Sequence, residues 1–247
     1  MKISIITVCR NSAKTIARTL DSVAMQRYPN IEHLVIDGAS TDDTLAVIKG
    51  NQRHITSFIS EPDEGIYNAM NKGFSLASGD IVAFLNSDDA YIDVEVLSDV
   101  MKVFEFHSVD FVYGDLLMVD ENGLICRDWR SGPIPDAGLN GSQIPHPVFF
   151  VKRSLLAKVI PVFDESYRIA ADLKQQLIII NIFNAKGFYI KRPLVRMALG
   201  GASTSGLKSY ISGWIESRRA YNEVIGRGGT SYTIRKVFSK LKDVRHL

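Results

Sequence analysis

Residues 79–93 read GDIVAFLNSDDAYID. Ile81 to Leu85 suit a buried strand, and they run directly into Asn86, Ser87, Asp88 and Asp89. Adjacent carboxylates repel, and burying either one without a partner costs free energy. A core strand that ends on such a pair therefore needs a reason.

The flanking chain supplies the setting. Ile3, Ile5, Ile6 and Val8 predict a buried strand over 3–8. Asn11 or Ser12 is placed to cap a helix with Ile16, Leu20, Val23 and Ala24 on one face. After a break at Tyr28-Pro29-Asn30, EHLVID (32–37) predicts a second strand. Ser40 and Asp43 resemble a capping box opening a helix through Ile48. ITSFIS (55–60) predicts a third strand, and GIYNAMNKGFSLASG (65–79) a helix closed by Gly79. The strand at 81–85 follows, then a helix near 94–106. Alternation of strand and helix at this spacing predicts an α/β fold, a parallel doubly wound sheet with right-handed crossovers.

Beyond residue 110 the pattern changes. Two strand-like runs flank Asp120-Glu121-Asn122-Gly123, and Asn-Gly suits a tight hairpin. A Gly- and Pro-containing loop covers 132–147. A short strand (148–151), a helix (172–186), two short strands within 187–199 and GGASTSG (200–206) complete a mixed second half. In the tail, Leu207, Tyr210, Ile211, Trp214, Ile215 and Tyr221 form one helical stripe. Gly226, Gly228 and Gly229 break it, and Ile234, Val237, Phe238, Leu241 and Val244 form another. Around the second stripe, Arg235, Lys236, Lys240, Lys242 and Arg245 face a single acid, Asp243.

The totals bound the function. The chain has 247 residues, 46% hydrophobic and 23% charged, enough for one sizeable core. A net charge of +2 gives no reason to expect nucleic acid as a partner. Cys9 and Cys126 are isolated and lack metal-ligand spacing. The apolar run in MKISIITVC is short for a signal segment, and Arg10 and Asn11 follow at once, so the expectation is a reducing cytoplasm. No window reaches transmembrane length. The longest apolar stretch, LIIINIF (177–183), is interrupted by Asn181 and suits a core.

Ligands of open parallel sheets bind beyond the carboxyl ends of the strands. Here strand one ends at Thr7-Val8-Cys9-Arg10-Asn11, strand two at Asp37, and strand four at Asn86-Ser87-Asp88-Asp89. Neither G-x-G-x-x-G nor G-x-x-x-x-G-K-[ST] occurs, which removes the dinucleotide fingerprint and the P-loop. A nucleoside diphosphate at this edge needs another neutraliser. A divalent cation on Asp88 would serve, because carboxylate oxygens suit Mg²⁺ or Mn²⁺ and leave coordination positions for phosphate. That chemistry accounts for acids at the end of a core strand.

SIITVCRN, EHLVIDGASTDDT, EPDEGIYNAMNKG and IVAFLNSDD, in this order and spacing, resemble family 2 glycosyltransferases of the GT-A fold, and more narrowly bacterial enzymes of O-antigen, capsule or exopolysaccharide synthesis. The resemblance is strong over about 1–115 and continues more weakly through HPVFFVKR (146–153), Asp172 and LGGAS (199–203). It implies a catalytic domain over 1–206, with a nucleotide-binding half (1–115) and an acceptor-binding half (116–206), followed by a helical tail (207–247). The family's D-x-D element falls on Asn86-Ser87-Asp88, which implies that Asp88 binds the metal, with Asp89 accessory to it, and that Asn86 stands where an acid contacts ribose. Thr7, Val8 and Arg10 match the edge around the base, and Asp63 the rim of the donor site. Asp37 matches the first acid of a pair whose second member, often a uracil contact, is Gly38 here. Guanine and thymine donors therefore stay open beside uracil. Met70 stands where many relatives have Arg, a change for which Lys72 would compensate. Asp172 matches the base of inverting members, with Ala171 where a second acid often sits, and His146 falls on the acceptor side.

These matches imply metal-dependent transfer of a sugar from a nucleotide-diphosphate-sugar to a carbohydrate acceptor, free or polyprenyl-linked. They also imply a cytoplasmic enzyme, with peripheral contact at the inner membrane face through the tail, or a tail that packs on the domain or makes a homodimer. Two other functions remain. One is a nucleotidyltransferase, which usually uses a basic Gly-rich loop after strand one, whereas CRNSAK has no glycine. The other is a non-catalytic nucleotide-sugar-binding subunit. Taken singly, Asp88 and Asp89 also fit a helix cap, Asp172 the N-cap of the 172–186 helix, and His146 a loop histidine.

Overall fold

In the computed structural model, which describes residues 1–120, 122–198 and 207–243, β1 (Ile3–Cys9) is buried along its whole length. It lies between β2 (Ile31–Asp37) and β4 (Ile81–Phe84), parallel to both, and β3 (Ser57–Ser60) extends the parallel set from β2. Strands covered on both faces need apolar residues at nearly every position, which is why these segments are continuous apolar runs rather than alternating ones. The crossovers carry α1 (Ile16–Ala24), α2 (Thr44–Gly50) and α3 (Ile66–Leu76). Gly79 precedes β4 where the chain passes close to β1. A Cβ there would lie 2.7 Å from the Ser4 amide nitrogen.

The second half turns the sheet mixed. After β5 (Asp89–Tyr91) and α4 (Val96–Phe106) come β6 (Phe111–Val119), β7 (Ile125–Trp129), β8 (Phe149–Lys152) and β9 (Gly187–Ala198). The order is β3-β2-β1-β4-β8-β6-β9-β5, with β7 paired to β6. β8 is antiparallel to β4 and β6, β5 is antiparallel to β9, and β6 runs parallel to β9. The β6–β7 turn follows its Asn-Gly signal. Asp120 Oδ1 accepts from the amides of Asn122 and Leu124, and Gly123 takes φ 80°.

Several local expectations are corrected. Neither Asn11 nor Ser12 caps a helix with its side chain. α1 begins at Ile16, and Asn11, at φ 52°, instead accepts from the Thr41 amide. Ser40 and Asp43 form no capping box, since the Ser40 hydroxyl donates to Asp37 and Asp43 makes no side-chain cap; Asp42 Oδ1 accepts from the Thr44 amide instead. The helix expected over 172–186 is α6 (Ala171–Leu177) continued by a π turn at Ile178–Ile182, following the short α5 (Arg153–Leu156). The two strands expected within 187–199 are one, β9, and β5 was not expected at all.

The tail forms α7 (Leu207–Ile225) and α8 (Gly229–Asp243), and both dock on the second half. Tyr221 and Tyr232 stack at 4.5 Å, and the Tyr232 hydroxyl donates to the Ser142 carbonyl at 2.7 Å. Ala220 and Tyr232 are completely or almost completely buried. Glu223 on α7 accepts from Lys174 of α6 at 2.6 Å and from the Tyr167 hydroxyl at 2.8 Å. Burial alone would push the Glu223 carboxyl up, but donors from Lys174, Arg219 and Tyr167 hold it down at about 2.

Candidate active site

The loop that closes β4 is tied down through its backbone and through the Ser87 side chain. Thr19 Oγ1 on α1 donates to the Asp89 carbonyl at 2.7 Å, Arg18 donates to the Asp88 carbonyl at 2.9 Å, and Ser87 Oγ donates to Ser12 Oγ at 2.8 Å. Both carboxylate oxygens of Asp89 and Oδ1 of Asn86 are buried with no hydrogen-bond partner, although Asp89 is 0% exposed. Burial raises the Asp88 carboxyl above the ordinary range. Burial and then the Asp88 charge raise Asp89 well above it. Oxygens held this way suit a hard divalent cation. Among the described residues no three His, Cys, Asp or Glu side chains converge, so a cation on Asp88 and Asp89 would keep positions for phosphate oxygens and water.

The end of β1 forms the next wall. Val8 and Arg10 line a cleft of about 1000 Å³ together with Asn86, Asp88 and Asp89. Asp63 joins them from the β3–α3 loop. A Cβ at Gly38 would fall 2.8 Å from Asp63 Oδ2, so the absence of a side chain at 38 makes room for this carboxylate. Lys72 Nζ donates to Asp63 Oδ1 at 2.7 Å and pairs with Glu61 at 2.8 Å.

Asp172 lines the same cleft from the first turn of α6. Its Oδ2 accepts from Gln143 Nε2 at 2.8 Å, while its buried Oδ1 has no partner. His146 lines the same cleft against Phe84 and Phe163, with both ring nitrogens buried and unpartnered. Burial lowers the His146 pKa, and the Asp172 charge opposes this. The tail completes this side. Tyr210, Gly213, Trp214 and Ser217 of α7 and Lys236 of α8 line the cleft together with Trp129 of β7, whose ring carries the Arg127 guanidinium at 4.7 Å. Cation, anion and ring-stacking groups thus share one cavity, which can hold a charged ligand at one end and a polyhydroxylated or apolar one at the other.

The model of glycosyl transferase family 2 matches residues 4–130, which is just over half of the chain. The chain belongs to glycosyl transferase family 2. An uncharacterized glycosyltransferase of Mycobacterium tuberculosis is 38% identical over 175 residues, 69% of this chain and 65% of the relative. A PGL/p-HBAD biosynthesis glycosyltransferase of Mycobacterium bovis is 32% identical over 173 residues, 68% of this chain and 66% of the relative. The match to these curated relatives thus spans about two thirds of their length or slightly less. Among solved structures, S. aureus TarS 1–349 in complex with UDP-GlcNAc superposes with TM-score 0.71 at 21% identity, covering 97% of this chain and 73% of that one. The mannosyltransferase PcManGT from Pyrobaculum calidifontis, in complex with GDP-Man and Mn²⁺, gives 0.69 at 19% identity, covering 98% and 70%. The fold of this family 2 chain is accordingly GT-A, as the residues around Asp88 implied.

Of the residues expected at the site, Val8, Arg10, Asp63, Asn86, Asp88, Asp89, His146 and Asp172 line the cleft of the family 2 chain. Thr7, Asp37 and Lys72 do not. Thr7 is buried and meets His33 Nε2 at 3.0 Å. Asp37 is 0% exposed and accepts from the Ser40 amide at 3.0 Å and the Ser60 hydroxyl at 2.7 Å, which makes it a brace of the β2 end. Lys72 is spent on Glu61 and Asp63. The Cys9 thiol is buried beside Asp37, and burial, then Asp37, push its pKa up, away from reactivity. The tail's share of the cleft was not foreseen, because an amphipathic stripe does not say what covers it. Leu241 and Val244 of the second stripe, and Gly200 to Gly206, lie where side chains or backbone are outside the described residues.

Proposed function

We propose that this chain transfers a sugar from a nucleotide-diphosphate-sugar to a carbohydrate acceptor, with inversion at the anomeric carbon, in the synthesis of a surface glycan. The observation that carries this reading is the set of carboxylates that line one cleft: Asp88 and the unpartnered Asp89 at the end of β4, and Asp172 on α6 with its unpartnered Oδ1. A divalent cation, Mn²⁺ or Mg²⁺, bound at Asp88 and Asp89 would supply positive charge against the leaving diphosphate. Arg10 and Val8 would border the base and ribose, with Asp63 accepting from a base N–H and Asn86 from a ribose hydroxyl. Asp172 Oδ1 would take the proton of the acceptor hydroxyl as that oxygen bonds to the anomeric carbon. The bond from that carbon to the diphosphate oxygen breaks, and its electron pair leaves with the diphosphate. Attack from the face opposite the leaving group gives inversion.

The acceptor end supports a sugar ring, since Trp129, Trp214 and Tyr210 offer aromatic surface there. Ile211 and Ile215 on α7 and Ile234 and Phe238 on α8 are exposed, at 44%, 64%, 51% and 63%. Among the described residues no helix is long and apolar enough to cross a membrane. An apolar face with basic neighbours suits the surface of an anionic bilayer. It would bring a polyprenyl-linked acceptor to the cleft from the inner face.

A thermal-shift screen tests the donor half. UDP, GDP, dTDP and CMP are each added with Mn²⁺ and with EDTA. One or more nucleoside diphosphates should raise the melting temperature in Mn²⁺ and not in EDTA. No shift with any of them would remove the donor reading.

A further inference from the structure

α6 carries Asp172 but has no capping side chain of its own. Its N-cap position is Ala170, followed by Ala171. The first amides of a helix have no partner within it and need an acceptor from elsewhere. The segment that leads into α6, residues 168–170, is held by Glu216 from the middle of α7. Its carboxylate accepts from three successive amides, those of Arg168 at 3.0 Å, Ile169 at 2.8 Å and Ala170 at 2.9 Å. A carboxylate at this end of a helix is also favoured by the helix dipole. Gln143 holds Oδ2 of the Asp172 carboxylate and Oδ1 has no partner, so its direction depends on the backbone that follows the segment Glu216 grips. The neighbouring face of α7 lines the cleft through Gly213, Trp214 and Ser217.

We propose that Glu216 is a positioning residue, which sets the Asp172 carboxylate for proton abstraction by fixing, from α7, the segment that leads into its helix. This rests on the reading of Asp172 as the base. A displacement of about 1 Å at a reacting group is enough for about a 10²-fold loss of rate. The tail helix would then do more than cover the core, because the turn that offers Trp214 to the acceptor is the same turn that holds the base.

The test uses the full chain and measures release of nucleoside diphosphate from UDP-N-acetylglucosamine and GDP-mannose with water as acceptor, beside donor binding by calorimetry. Glu216→Ala should lower kcat by about 10- to 100-fold with donor Kd and KM unchanged. Glu216→Gln, which keeps an acceptor oxygen in place, should recover most of it. Glu216→Asp keeps the charge but shortens the reach, and should fall between them even if the alanine variant folds poorly. If folded Glu216→Asp and Glu216→Ala both turn over at the wild-type rate, or if Glu216→Gln is as slow as Glu216→Ala, the positioning role is overturned. Asp172→Asn serves as the separate control. If it hydrolyses donor normally, the base assignment has failed, whatever Glu216 does.

Discussion

Asp172→Asn should still bind donor and should lose transfer by about 10²-fold or more, the usual contribution of a general base. The amide is nearly isosteric with the carboxylate and can still accept from Gln143 through its oxygen. What it loses is the capacity of the buried, unpartnered oxygen to take a proton. Donor binding should survive because the groups proposed to hold the nucleotide, Arg10, Asp63, Asn86 and Asp88, come from other elements and are unchanged by the substitution. His146 is not a ready substitute, since both ring nitrogens are buried against Phe84 and Phe163. Nucleoside diphosphate release checks the rate, and calorimetry checks the donor. Turnover near the wild-type rate would leave the base elsewhere. Complete loss of donor binding would instead point to a folding defect.

The second large effect concerns the tail. Deletion of residues 207–247 should abolish turnover and lower the melting temperature, because it strips one wall from the cleft and uncovers residues that α7 and α8 bury. Tyr167 loses Glu223, the 168–170 segment loses Glu216, and Ser142 loses Tyr232. Each large apolar side chain uncovered costs about 1.5–3 kcal/mol. The double variant Ile234→Ser, Phe238→Ser changes only exposed positions. It should keep the melting temperature and donor hydrolysis while no longer sedimenting with anionic vesicles that pellet the parent chain at low salt. If parent and double variant fractionate alike, the exposed face of α8 does not serve a membrane. If the truncated chain turns over normally, the tail is not part of the site.

The parts of this fold that could be read from the sequence are those in which local pattern and burial agree. β1, β2 and β4 are covered on both faces, so their residues are apolar in continuous runs. β5 could not be read, because Asp-Ala-Tyr has no strand pattern and extends only through pairing with β9. β9 divides in the sequence at Pro193, which cannot donate to a ladder. The sheet absorbs it where the β6–β9 register shifts beside Asp115. Within the site, strand ends were located by topology, but side-chain direction was not. Val8 faces the cleft while its neighbour Thr7 turns to His33, as alternation along a strand requires. Glu216 left no sequence signal, since it satisfies amides that lie 46 to 48 positions away. The two alanines that leave α6 without a local cap were the available sign that the segment leading into it is held from elsewhere.

The central claim is that acids end a core strand because a cation and a diphosphate meet there. Calorimetric titration of UDP and GDP tests it, in Mn²⁺ and in EDTA, against the parent chain and Asp88→Ala. Binding of at least one of them in Mn²⁺, lost in EDTA and lost in Asp88→Ala, is the expected result. Equal affinity under all of these conditions would contradict it.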